Sequence, residues 1–85
     1  MHAEITLRLL CFGPLVDCVG RRELTLRLPA SASVADAIGR MRELYPDAAP
    51  ILNASRVAVN QRFVSGDSVL VAGDEVALLP PVSGG

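Results

Sequence analysis

The chain has 85 residues and a net charge of −1, with 51% hydrophobic and 20% charged residues. That size gives one small domain near the lower limit for a self-sufficient core, and that hydrophobic share excludes a disordered chain. With aromatics at 4%, no Trp, no basic run and no apolar stretch of membrane-spanning length, the core must be aliphatic, and neither nucleic acid nor membrane is expected as a partner.

Two cysteines, Cys11 and Cys18, are too few for a thiolate-only zinc or iron–sulfur site, and the single histidine, His2, stands at the chain end, so no metal site is expected. All eight basic residues are Arg. Without Lys a Schiff-base mechanism is excluded. Met1-His2-Ala3-Glu4 has no basic leader segment, and the expectation is a cytoplasmic protein with reduced thiols.

Residues 4–12 read as the first strand: Ile5, Leu7 and Leu9 alternate with Thr6 and Arg8, which leaves Leu10 and Phe12 on the polar side. Gly13-Pro14 breaks it, a loop ends at Gly20-Arg21-Arg22, and residues 23–28 alternate again through Leu24, Leu26 and Leu28. The two strands are expected as an antiparallel hairpin with a long loop. Ser33 is the best helix N-cap, with Asp36 three residues on as an imperfect capping box. Val34, Ala37 or Ile38, Met41, and Leu44 or Tyr45 then form an apolar stripe, which Pro46 ends at Tyr45. Gly39 inside this helix suggests close packing against a sheet.

A helical turn is expected around Ile51-Leu52, a short strand at residues 56–60, and a turn at Asn60-Gln61 toward Phe63-Val64. Leu70 is the expected buried residue of the stretch 69–71. Gly73-Asp74 turns into the last strand, residues 75–79, with Val76 and Leu78 on one face and Ala77 and Leu79 on the other. The pair Asp74-Glu75 is expected to be solvated. One helix on one mixed sheet makes an α+β two-layer domain over residues 1–79, and a β-grasp arrangement fits, although element order alone does not force it.

Residues 80–85, Pro80-Pro81-Val82-Ser83-Gly84-Gly85, are a different kind of chain. The prolines fix φ and remove two donors, so the stretch cannot extend a central strand. Extended, six residues reach roughly 20 Å. On composition alone the tail is either a frayed terminus or an arm that places a carboxylate in a partner's slot. Elsewhere no phosphate loop, nucleophile–base pair or calcium loop is found.

The segments Val57-Ala58-Val59-Asn60-Gln61 and Gly73-Asp74-Glu75-Val76-Ala77-Leu78-Leu79-Pro80-Pro81-Val82-Ser83-Gly84-Gly85 closely resemble the molybdopterin synthase small subunit, the MoaD-type sulfur carriers. The PPVSGG ending is the specific part, and the match extends more loosely over the whole chain. The resemblance implies a ubiquitin-like β-grasp fold and a Gly85 that is adenylated and then converted to a thiocarboxylate. ATP would be used by a ubiquitin-activating-like adenylyltransferase, a sulfur donor would supply the sulfur, and the domain itself would bind no cofactor. The large synthase subunit would take in Pro80, Pro81, Val82, Ser83 and Gly84 and pass sulfur to cyclic pyranopterin monophosphate, in a heterotetramer. Phe12, Phe63 and Leu79 match positions that contact that subunit. Val16-Asp17 stands where an Arg-Glu pair is common, and Leu78-Leu79 where aromatics are frequent. Other β-grasp sulfur carriers, serving thiamine, cysteine or tRNA thiolation, share the diglycine end, and a ubiquitin-like binding module without sulfur chemistry is the reading from another class.

Overall fold

A computed structural model describes residues 3–81. Strand β1 (Glu4–Cys11) pairs antiparallel with β2 (Glu23–Pro29), with Leu7 opposite Leu26 and Leu9 opposite Leu24. These leucines are buried while Arg8, Thr25 and Arg27 are exposed, as the period-two alternation requires.

The connection between the two strands is not the plain loop expected from sequence, because it contains helix α1 (Pro14–Val19). Pro14 occupies the first helical position, where its fixed φ is an asset and its missing N–H costs nothing. Gly20 closes the helix with a left-handed φ of 87° while its N–H donates to the Val16 carbonyl at 2.7 Å. Leu15 and Val19, four residues apart, turn into the core.

Helix α2 (Val34–Leu44) begins with both halves of the capping box in place. The Asp36 N–H donates to Ser33 Oγ at 3.2 Å, and the Ser33 N–H donates to Asp36 Oδ2 at 2.8 Å. Val34, Ala37 and Met41 are buried, Tyr45 packs partly against the core, and Leu44 is exposed. The close-packing expectation for Gly39 does not hold: a Cβ there would meet only the Arg42 guanidinium, at 3.8 Å. Pro46 opens a 3₁₀ turn (Pro46–Ala48) that runs on into helix α3 (Ala49–Ala54), a full helix where one turn was expected.

Strand β3 (Arg56–Val59) turns into β4 (Arg62–Val64) through Asn60 and Gln61, both at positive φ, the geometry that matches strand twist in a two-residue hairpin. Residues 69–71 make only one bridge, Ser33 to Val69, yet Leu70 is buried as expected. Strand β5 (Glu75–Leu79) then inserts between β1, to which it is parallel, and β3, to which it is antiparallel. The five-stranded order is β2-β1-β5-β3-β4. First and last strands lie side by side at the centre with the helices across one face, which is the ubiquitin-like β-grasp. The core is aliphatic, built on Leu7, Leu9, Leu15, Met41, Leu52 and Leu78.

Candidate docking face and tail exit

The helices cover one face of the sheet and leave the other open. On the open face the register lines up Glu23, Leu10, Ala77, Ala58 and Phe63 as one cross-strand row over five strands. One step toward the end of β5, Leu79 stands opposite Arg56. One step the other way, Arg8 stands between Thr25 and Glu75. Apart from Arg56, the face is therefore apolar toward the end of β5, and it is charged toward its start.

The charged half is organised by Arg8, whose guanidinium lies 2.9 Å from Glu23 and 3.5 Å from Glu75. The hydrogen bond from Arg8, and then its charge, hold the Glu23 carboxyl below the usual carboxylate range. Both side chains are half exposed, so the pair fixes orientation more than it adds stability.

The three residues singled out from the sequence lie in or beside the apolar half. Phe12 is 43% exposed and Phe63 is 57% exposed, while Leu79 is half-buried. Phe63 lies beneath the Arg56 guanidinium, 3.9 Å from ring centroid to the carbon, a cation–π contact that holds the ring against the sheet. Leu10, Phe12, Val16 and Asp17, with Arg22 and Glu23, line a hollow of about 620 Å³ beside α1. Val16 and Asp17, the departures from the family pattern, thus border the same hollow as Phe12.

The tail leaves from the same end. Pro80 is half-buried and Pro81 exposed. Gly13 has φ 59°, so a side chain there would be strained, and its Cβ would meet Pro80 Cγ at 4.0 Å, an ordinary contact with the tail's base. Val82, Ser83, Gly84 and Gly85 lie outside the described residues, as does His2.

One feature of the site was missed in the sequence. Asp74, expected to be solvated beside its turn, is 7% exposed. Its Oδ1 accepts from Asn60 Nδ2 and its Oδ2 from the Val71 N–H, each at 2.9 Å. The Glu75 N–H donates to Asn60 Oδ1 at 3.0 Å, and the Asn60 N–H donates to the Glu75 carbonyl at 2.8 Å. This clamp ties the β3–β4 turn to the start of β5, and so fixes the line along which β5 delivers the tail. The two segments that carry the family resemblance are the two sides of the clamp.

Cys11 is buried, and burial raises its thiol pKa, which keeps it protonated and a poor nucleophile. Among the described residues no group of three His, Cys, Asp or Glu side chains is placed to hold a metal, and no helix is long and apolar enough to cross a membrane.

The ThiS family model matches residues 9–85, from the middle of β1 through the tail. The chain belongs to the ThiS family. Within the breadth of ThiS-type proteins seven of its curated relatives carry one name. It is 32% identical to the molybdopterin synthase sulfur carrier subunit of Dictyostelium discoideum, over 92% of this chain and 94% of the relative. It is 37% identical to the protein of that name from Synechococcus elongatus, over 94% and 97%. Among solved structures, SAMP1 from Haloferax volcanii superposes with a TM-score of 0.84 at 26% identity, over 94% of this chain and 99% of that one. A putative molybdopterin converting factor, subunit 1, from Pyrococcus furiosus gives 0.84 at 27%, over 92% and 99%.

Proposed function

We propose that this ThiS-family chain is the sulfur-carrier subunit of a molybdopterin synthase. One observation carries the reading: the central strand β5 runs off the apolar half of the open face into Pro80 and the Gly-Gly end, in a chain whose near full-length relatives are named sulfur carrier subunits.

A terminal carboxylate titrates near ~3.5 and is ionised and unreactive at neutral pH. In the proposed cycle a Gly85 carboxylate oxygen attacks the α-phosphorus of ATP on an adenylyltransferase, and pyrophosphate leaves. Sulfur at the hydrosulfide level, from a donor protein, then attacks the acyl carbon and AMP leaves, giving the thiocarboxylate. In the synthase that sulfur attacks a carbon of cyclic pyranopterin monophosphate and displaces an oxygen substituent from it, and water then cleaves the acyl–sulfur bond and returns Gly85 to the carboxylate. The pocket for this chemistry lies on the large subunit. Phe12, Phe63 and Leu79 dock against that subunit while residues 80–84 thread its slot, and the prolines reduce the entropy lost on entry. Residues 1–79 serve as the docking body and 80–85 as the arm. The assembly is a heterotetramer working in the cytoplasm, and ATP is the activating enzyme's cofactor alone.

A second reading, a β-grasp protein modifier without sulfur chemistry, starts from the same Gly-Gly end. Intact mass after incubation with an activating enzyme, ATP and a sulfur donor separates the two. The carrier reading expects one oxygen replaced by one sulfur at the C-terminus, and its loss when Gly85 is deleted. An unchanged mass from the intact chain, in a mixture that activates a known carrier, sinks that reading. Conversion of the pterin precursor by this chain plus a large subunit then places it in the molybdopterin pathway rather than in another thiolation.

A further inference from the structure

A second concavity lies on the helical side of the sheet at its β4 edge, where Arg56 and Phe63 border both it and the open face. Between α2, α3 and the β3–β4 hairpin runs a groove of about 390 Å³ with a floor of Val34, Ile38, Leu52, Val57 and Val64. One end is closed where the Ala35 N–H donates to the Gly66 carbonyl at 2.9 Å. The other end carries two cations. Arg42 is steadied by its Nη1 donating to Asn53 Oδ1 at 2.9 Å, and Arg56 rests on Phe63. No Asp or Glu lines the groove, and among the described residues neither Arg42 nor Arg56 pairs with a carboxylate. Alongside lies β4, last in the sheet order, whose outer edge pairs with none of the sheet's strands.

These features select one kind of occupant. The floor takes aliphatic side chains, the cations take a carboxylate, and an unpaired strand edge takes an extended backbone. We propose that the groove docks an extended acidic peptide segment of a protein partner, with aliphatic side chains on the floor and a carboxylate at Arg42 and Arg56. A second copy of this chain fits badly, because a two-fold contact through this groove sets Arg42 and Arg56 of one copy against those of the other. Nucleic acid fits badly too, since its phosphates leave the aliphatic floor unfilled. A partner holding the chain here grips it at the β4 edge, covers Phe63, and leaves Phe12 and Leu79 free for a second protein.

The test uses the full chain and a fluorescein-labelled octapeptide of alternating valine and glutamate. Valine–lysine and serine–glutamate octapeptides serve for comparison, with anisotropy and amide chemical shifts as readouts. The valine–glutamate peptide is expected to bind at least about tenfold more tightly than either other peptide, with weakening as salt rises. Shifts are expected at residues 34–42 and 62–66. The Arg42→Ala/Arg56→Ala double variant should lose about tenfold in affinity. Ala35→Glu, an exposed first-turn position where an acid suits the helix, should lose as much by filling the closed end while both arginines remain. Equal binding of the lysine peptide, or shifts confined to the open sheet face, overturns the proposal. So does a gain of about tenfold on removing residues 82–85, which would make the chain's own tail the occupant. Binding here needs no activating enzyme, so its failure leaves the sulfur-carrier reading untouched.

Discussion

Replacing Asp74 by alanine separates two accounts of what holds β5 in place, the buried clamp or the strand ladders alone. Asp74 is 7% exposed and its carboxylate receives Asn60 Nδ2 and the Val71 N–H, each at 2.9 Å. A hydrogen bond to a carboxylate contributes about 1.5–3 kcal/mol, and a buried donor left without a partner costs about 1–3 kcal/mol. Both bonds are part-buried, so the Asn60 amide and the Val71 N–H each recover only part of the loss from water. Asp74→Ala should therefore cost about 2–4 kcal/mol. For a domain of this size that is a large share of a total near 5–10 kcal/mol and lowers the melting temperature by about 10–25 °C. Circular dichroism melts and urea titrations read it directly. Asp74→Asn, which keeps the volume and one acceptor, should lose about half as much. An Asn60→Ala/Asp74→Ala cycle should show a coupling of about 1 kcal/mol or more. If Asp74→Ala stays within about 0.5 kcal/mol of the parent, the clamp contributes nothing and the ladders alone hold β5.

Gly39→Ala should stabilise the chain by about 0.5–1 kcal/mol, because a Cβ there meets only the Arg42 guanidinium at 3.8 Å; a destabilised variant would restore the close-packing account of this glycine. Phe12→Asp should weaken binding to a large synthase subunit, measured by calorimetry, while its melt stays within about 0.5 kcal/mol of the parent, and a collapsed melt would assign Phe12 to the core instead. Arg8 lowers the Glu23 pKa, so this pair stabilises the fold above the unfolded carboxylate's pKa, and that contribution is lost as pH falls through the lowered folded value. Glu23→Gln should flatten that part of the acid limb of a stability–pH curve by lowering the neutral region slightly while the acid end stays unchanged, and an identical curve would remove the assignment.

The strands were legible because their period is short and their outward residues polar: Leu7, Leu9, Leu24, Leu26, Val76 and Leu78 alternate in sequence and are buried in the structure. Ser33 and Asp36 announced the start of α2, and Pro46 its end within one residue. Helix α1 escaped because six residues give too few repeats to show a period, and Pro14 was read as a break rather than a first turn. The clamp escaped for a different reason. Asn60 and Asp74 are fourteen residues apart, and only the insertion of β5 beside β3 brings them together. Neighbour order in the sheet is likewise absent from any local pattern. The groove beside β4 depends on the same pairing, since Arg42 and Arg56 stand on separate elements.

The placement of β5 has a mechanical consequence. A pull on the tail acts along a strand registered with β1 through four residues on one side and with β3 through four on the other. The load falls on both ladders at once and in shear, so the strand cannot peel away one bond at a time. On the proposed carrier reading, that anchorage lets the body stay folded each time the arm is withdrawn from a partner.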